Sequence, residues 1–301
     1  MTEQDGALRL LNSNCYQLDP ARPFLMTSPL MGMGHGGYWF LQWDEREVFQ
    51  IFAEAHCTAY TEFGVPAPAS VEILTRIIPA AELFPPRTDG AWKSRHGYNA
   101  FGDIENLRNL WLELPTITKY FGEMTSLTTL VESGQLLQAE GLKCIYEEAR
   151  RQKPVCAMAL TWCFNEPWPT AANNSLLSWP SHQKPSYSAV RQACRPTLAS
   201  ARIPKFSWRA GEWFTPELWL LHDGATALAG GSISAVLECG AQRWPLLTWD
   251  YAGTAANTNL PGPSIRFLLP DLPFGRMRLL ISAIGHSDWN SAYTLLLQES
   301  S

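Results

Sequence analysis

Two kinds of hydrophobic patterning meet near residue 200 of the chain. Before it, apolar residues recur at helical spacing and alternate with short continuous apolar runs. Residues 45–56 put Val48, Phe49, Phe52 and Ala53 on one helical face and lead straight into the run CTAYTEF at 57–63, an α-to-β step. Ser70 is placed to cap a helix holding Val71, Leu74, Ile77 and Ile78, which Pro79 would close because proline cannot donate a helical hydrogen bond. Asp103 is placed to cap another, with Ile104, Leu107, Leu110, Trp111 and Leu114 in register and Pro115 as its end. Between them, 84–101 is rich in Pro, Gly and charge and reads as a long surface loop.

The clearest helix spans 135–153 (QLLQAEGLKCIYEEARRQK), with Leu136, Leu137, Leu142, Ile145, Tyr146 and Ala149 on one face and polar residues opposite. Arg150, Arg151 and Lys153 stand at its C-terminal end, where the helix dipole favours cations. Pro154 stops it, and the apolar run VCAMALTWCF at 155–164 reads as a buried strand. Polar-faced helices feeding such strands predict a parallel sheet covered by helices, which a doubly wound sheet and a barrel satisfy equally. Beyond residue 200 the pattern becomes short strands with turn punctuation. Runs at 213–221, 232–239, 243–250, 265–269, 277–284 and 291–297 are separated by turn-forming segments such as AGG and LPFG, a spacing that predicts a β-sandwich.

Composition narrows the partners. A net charge of -5 and a pI near 5.7 give no reason to expect nucleic acid or an anionic membrane, which bind clustered Lys and Arg. Thirteen Trp are many for 301 residues; exposed indoles are faces on which sugar rings stack, although a large core also absorbs them. The opening MTEQDGALRL has neither the basic nor the apolar segment of a secretory leader, and the apolar run at 155–164 is too short to span a bilayer. Seven Cys form no CxxC pair and leave an odd count, which predicts buried free thiols and favours a reducing, cytoplasmic compartment. Six scattered His show neither HxH nor HExxH spacing, so no metal site is expected.

Two carboxylates at strand ends are the residues that can carry chemistry. Glu62 stands near the end of TAYTEFG, with Gly64 and Pro66 breaking the strand behind it. Glu166 follows the apolar strand inside WCFNEPWP, directly after Asn165. Glycoside hydrolysis needs two carboxyl groups facing each other across the scissile bond, about 5–5.5 Å apart when configuration is retained. Either Glu fits that role by placement, and either fits an ordinary salt bridge. In the same plain reading His35, in MGMGHGGYWF, is a loop histidine, Trp162 a core residue and Asn165 a turn-capping amide.

At these residues the chain resembles the family 2 glycoside hydrolases, especially the β-mannosidase and exo-β-glucosaminidase branch, and only their C-terminal portion. The similarity runs from LDPARPFLMTSP at 18–29 through GHGGYWFLQW, TEFG and QAEGLKCIYEEARRQK to WCFNEPWPTAANNSLLSW and KPSYSAVRQACRP, which ends at Pro196. It implies an α/β plus all-β fold: the C-terminal half of a (β/α)8 TIM barrel over 1–198, about its last four strands, then an immunoglobulin-like β-sandwich over 199–301. It implies Glu62 as the catalytic nucleophile at the end of barrel strand seven. Glu166 then falls on the rim of strand eight, because an Asn-Glu proton donor precedes the nucleophile in this family. Trp162 and Asn165 would line the sugar site, and His35 and Trp39 resemble its G-D-x-H-x-W loop, although no Asp precedes His35 in the expected place.

The family's acid/base carboxylate lies on strand four, ahead of the matched region. The resemblance therefore implies a catalytically incomplete chain. Its partners would be a β-linked carbohydrate, with a β-mannoside first, and the N-terminal half that holds the acid/base. No metal or organic cofactor is implied. The alternative is a non-catalytic module, derived from such an enzyme, that binds carbohydrate or protein.

Overall fold

The computed structural model describes residues 5–97 and 111–298. Its first part runs α1 (Gly6–Leu18), β1 (Met33–Tyr38), α2 (Val48–Glu54), β2 (Ala59–Gly64), the two-residue strand β3 (Ala67–Pro68), α3 (Val71–Ile77), α4 (Gly90–Ser94), α5 (Leu114–Phe121) and α6 (Leu127–Arg151). There follow β4 (Ala159–Thr161), the short strands β5 (Ala172–Asn173), β6 (Leu177–Ser178) and β7 (His182–Gln183), and α7 (Pro185–Ala193). β1, β2 and β4 form a parallel sheet in that order. About four parallel strands were expected, and among the described residues the sheet has three: ahead of β1 lies α1, none of whose side chains is buried.

Local signals set several helix ends. The Ser70 hydroxyl accepts from the Ile73 amide and opens α3, which ends ahead of Pro79. Pro115 opens a helix instead of closing one: it sits in the first turn of α5, where a missing N–H goes unneeded. Most of the helix read from Asp103 to that proline lies outside the described residues. The described part of 84–101 is more than a surface loop, since α4 buries Trp92, whose Nε1 donates to the Glu82 carbonyl at 2.9 Å.

The two strongest apolar patterns behave in opposite ways. α6 starts at Leu127, capped by Ser126, and is buried on nearly every side, including the charged residues Glu140, Lys143, Glu147, Glu148 and Arg151 of its supposed solvent face. The run at 155–164, read as a buried strand, is largely bare. Only Ala159–Thr161 is strand, at the outer edge of the sheet, and Val155, Leu160 and Phe164 are 57%, 51% and 57% exposed. Nothing among the described residues pairs with the outer edge of β4, so side chains suited to burial stay in solvent. All seven cysteines are free, as expected, but only Cys144 and Cys156 are buried and Cys194 is exposed.

From Thr197 strands dominate: β8 (Thr197–Arg202), β9 (Ser207–Arg209), β10 (Trp213–Phe214), β11 (Glu217–His222), β12 (Leu228–Cys239), β13 (Gln242–Thr254), β14 (Leu260–Ser264), β15 (Phe267–Leu268), β16 (Gly275–Ala283) and β17 (Ser291–Gln298). One sheet has the order β14-β11-β8 and a second the order β13-β12-β16-β17-β9, and β8 meets β16 and β17 across the gap. Alternate residues point inward as the period of two requires: Ile233, Ala235 and Leu237 on β12, and Met277, Leu279 and Ile281 on β16. The run read as a strand at 265–269 yields only β15; the longer strand, β14, lies just ahead of it.

Two junctions tie this β region to the α/β part. Phe206 inserts among Phe40, Phe49 and Tyr120 at centroid distances of 5.2, 6.5 and 5.4 Å, and its amide donates to Glu47 Oε2 at 2.7 Å. The second junction is the charged side of α6. Glu147 Oε2 accepts from the hydroxyls of Ser200 and Tyr293 at 2.6 and 2.8 Å, and Arg151 reaches Glu147 and Glu148 at 3.4 and 2.7 Å. Lys143 Nζ sits 3.6 Å from the centroid of the Tyr293 ring, and Glu148 also meets Arg202 at 3.0 Å. Charges survive this burial because they are paired; removing one partner would strand the other.

Burial is the main cause that holds two carboxyls high, with the Glu147 charge adding to it at Glu140. Glu140, whose Oε1 accepts from the Thr294 amide at 2.9 Å, is pushed up to about 7. Glu113, which accepts from the Phe40 amide, is pushed up to about 8. The unfolded chain ionises such groups near 4.5, so their ionisation opposes folding, and their contribution to stability falls as pH rises through that window. Relative to Glu140→Gln, which cannot ionise, the native protein should lose stability from about pH 4.5 to about pH 7 and then level off, as urea midpoints of the two proteins measured across that range will show.

Candidate functional site

The site begins with a break in alternation. β1 and β2 lie side by side with His35 opposite Glu62 and Tyr38 opposite Gly64. Against β4, β2 shifts register between Tyr60 and Phe63, so both rings reach Phe52 of α2, at 5.2 and 6.1 Å between centroids. Glu62, between them in sequence, turns toward β1, as a bulged strand re-aims a side chain.

There one carboxylate oxygen is hydrogen-bonded and the other faces an imidazole. The Tyr38 hydroxyl donates to Glu62 Oε1, and His35 Nε2 lies 3.9 Å from Oε2. The other ring nitrogen, Nδ1, is 3.1 Å from the hydroxyls of both Ser28 and Thr61, which fix the imidazole. Burial, reinforced by the Glu62 carboxylate, holds the Tyr38 phenol well above its usual range, so it remains a donor at neutral pH. Glu62 itself is about one-third open to solvent, its side chain being 31% exposed.

Beside it stands an aromatic wall. The rings of Tyr38, Trp111 and Trp162 meet one another at 5.8, 5.5 and 5.6 Å, and Trp162 is 40% exposed. The peptide joining Trp162 to Cys163 is cis. Gly64 allows the segment after β4 to approach the end of β2: a Cβ there would come within 2.6 Å of Asn174 Oδ1 and 2.8 Å of the Trp162 carbonyl. Gln138 of α6 fixes the same corner, donating to the carbonyls of Val65 and Asn174 at 2.8 and 3.2 Å and accepting from the Ser186 hydroxyl at 2.9 Å.

Glu166 occupies a different environment. It is buried, accepts from Ser175 Oγ at 2.5 Å and from the Trp179 amide at 3.1 Å, and pairs with Lys184 at 3.5 Å. Burial pulls the Lys184 ammonium down and the Glu166 charge opposes the pull. Both oxygens of Glu166 are thus engaged inside the protein, pinning the segment that runs from Asn165 to Lys184.

Of the residues named from sequence, Glu62, His35 and Trp162 come together. Trp39 packs against the hydrophobic core and has no hydrogen bond or ring contact with Glu62 among the described residues. Asn165 is exposed, and its backbone bridges Leu177. Sequence reasoning missed Tyr38 and Trp111. Tyr38 adjoins Trp39 in a glycine-rich strand with register shifts, so periodicity does not tell which neighbour faces β2. Trp111 fits a helical apolar pattern, but the chain is in a turn there.

A cavity of about 960 Å³ lies elsewhere, between the C-terminus of α6, the segment leading into β4, and Trp219, Asp223 and Asn257 of the β region. Its charged groups already have partners: Lys153 pairs with Asp223 and bonds the His222 carbonyl at 2.6 Å, and Arg150 meets Asp223 at 2.9 Å. It opens near the N-terminal end of β4, whereas Glu62 stands toward the C-terminal end of β2 in the same parallel sheet.

No family model matches the chain, and no curated protein matches it by sequence. Solved structures do. The chain superposes on the β-D-mannosidase of Dictyoglomus thermophilum with a TM-score of 0.66 and 17% identity, over 95% of this chain and 34% of that one. It superposes on the exo-chitosanase of Amycolatopsis orientalis, solved with PNP-β-D-glucosamine, with a TM-score of 0.60 and 15% identity, over 86% of this chain and 30% of that one. The chain thus spans about a third of the length of these structures. The resemblance to the C-terminal portion of the β-mannosidase and exo-β-glucosaminidase branch holds at the level of fold.

The two carboxylates should separate in unfolding experiments. Glu166→Ala leaves Lys184 buried without its counter-ion and should destabilise by about 3–5 kcal/mol, whereas Glu62→Gln, at a partly open site, should stay within about 0.5 kcal/mol. Urea denaturation of both variants measures the contrast.

Proposed function

We propose that the chain is the C-terminal part of a retaining β-glycosidase of the family 2 type, with Glu62 as nucleophile. One observation carries this reading: a partly open carboxylate toward the C-terminal end of a parallel strand, held by the Tyr38 hydroxyl and facing His35, beside an aromatic wall that includes Trp162. On this reading residues 1–198 belong to a (β/α)8 barrel, whose catalytic groups stand at the C-terminal ends of strands, and 199–301 form an immunoglobulin-like accessory sandwich. A β-mannoside is the preferred substrate, supported by the DP-RP and NEPWP segments and by the fold likeness to a β-mannosidase.

The residues divide the work as their geometry allows. Tyr38 occupies Oε1, which leaves Oε2 to attack the anomeric carbon while the bond to the leaving oxygen breaks. The product is a glycosyl ester of Glu62, which water then cleaves. Trp162 offers an apolar face to the sugar ring, and His35, oriented by Ser28 and Thr61, a polar group beside the reacting carboxylate. The leaving oxygen needs a proton from a second carboxyl group. On this reading the N-terminal half of the enzyme supplies that acid, and Glu166, whose two oxygens are engaged by Ser175, the Trp179 amide and Lys184, does not.

A 2-deoxy-2-fluoro-β-mannosyl fluoride tests the nucleophile alone, because fluoride departs without the help of an acid. Mass spectrometry should find the adduct on the peptide holding Glu62, and Glu62→Gln should abolish it. Labelling at Glu166, or no label on the folded protein, would overturn the assignment; the second result would favour carbohydrate binding without turnover.

A further inference from the structure

Two hydroxyls behind His35 settle where the imidazole carries its hydrogen. Thr61 adjoins Glu62 on β2, and Ser28 lies in the segment ahead of β1. Thr61 Oγ1 donates to the Gly34 carbonyl at 3.2 Å, and Ser28 Oγ donates to Thr61 Oγ1 at 2.6 Å. A carbonyl oxygen can only accept, and a hydroxyl has a single hydrogen to give. Thr61 has therefore committed its hydrogen to Gly34, and Ser28 has committed its own to Thr61. Both oxygens then face His35 Nδ1, 3.1 Å from each, with lone pairs alone. A ring nitrogen in that position is satisfied only as a donor, so Nδ1 bears the hydrogen and shares it between the two hydroxyl oxygens. In a neutral imidazole the other nitrogen is then bare.

That nitrogen is Nε2, which lies 3.9 Å from Glu62 Oε2. A bare nitrogen cannot donate to a carboxylate. The Tyr38 hydroxyl already donates to Oε1, and the opposite tautomer of His35 would turn a second donor toward Oε2. Such a bond stabilises the resting carboxylate and must be broken before that oxygen can attack, so it would slow the reaction. We propose that Ser28 and Thr61 are positioning residues that act through His35: by holding its hydrogen on Nδ1 they leave Glu62 Oε2 without an imidazole donor. What the free oxygen then does rests on the glycosidase reading; where the hydrogen sits does not.

Long-range proton–nitrogen correlation spectra of the full chain, labelled with nitrogen-15 in its histidines, read the ring directly; the His35 signals are those absent from His35→Gln. At about pH 8.5, above the range in which imidazoles ordinarily protonate, the native protein should show Nδ1 protonated and Nε2 with the downfield shift of a bare nitrogen. The two hydroxyls are not equivalent, so their variants should differ. Thr61→Val frees the Ser28 hydrogen to point at Nδ1, and the ring should switch to the Nε2-protonated form. Ser28→Ala leaves Thr61 committed to Gly34, and Thr61→Ser keeps the hydroxyl, so in both Nδ1 should retain its hydrogen. The switch in Thr61→Val should also slow labelling of Glu62 by the fluorinated mannosyl fluoride about tenfold, the equivalent of one hydrogen bond to a charged group. An Nε2-protonated or doubly protonated ring in the native protein would overturn the inference, and that spectrum decides even if Thr61→Val fails to fold. A ring unchanged in folded Thr61→Val, or labelling as fast after the switch as before it, would overturn it as well. Nδ1 protonated in a native protein that takes no label would support the placement of the hydrogen and overturn the glycosidase reading.

Discussion

The burial of the charged side of α6 organises the rest of the molecule. One flank of the helix packs on the parallel sheet through Tyr146, whose ring meets Phe63 at 5.3 Å. Another reaches the corner beyond Glu62 through Gln138. The third carries Lys143, Glu147, Glu148 and Arg151 into the β region, where Ser200, Arg202 and Tyr293 complete their pairing. An apolar face could slide across its neighbour with little penalty. A set of paired buried charges cannot, because any shift leaves a charge without its partner in a medium that cannot solvate it. The β region therefore has one orientation on the helix, and the insertion of Phe206 among Phe40, Phe49 and Tyr120 agrees with it.

The same physics sorts the two candidate carboxylates. Glu166 lies within a sequence that suggests a proton donor, yet it is buried and committed to Ser175, the Trp179 amide and Lys184. Glu62 lies within a less distinctive sequence, yet it is partly open, oriented by a phenol and flanked by aromatic rings. Environment decides what a carboxylate can do: a group whose oxygens are all engaged holds structure together, and one with a free oxygen facing solvent can meet a ligand. Glu166 instead pins the segment that carries Trp168 and Trp179.

What the sequence by itself determined was set by short-range physics. The cap at Ser70, the α-to-β step into Glu62 and the short strands after residue 200 depend on neighbours a few positions away, and such neighbours are visible in a linear string. Glu62, His35 and Trp162 were named through short motifs that resemble those of a known family, and the fold brings the three to one corner. The tertiary structure alone decided everything that depends on which partner is present. It turned the polar face of α6 inward, because the β region brings matching charges, and left 155–164 bare, because no described strand covers β4. It also chose Tyr38 over Trp39 and brought in Trp111, since strand register and the meeting of separate loops fix which side chain arrives at a carboxylate. Periodicity says which residues share a face; only the fold says what that face meets.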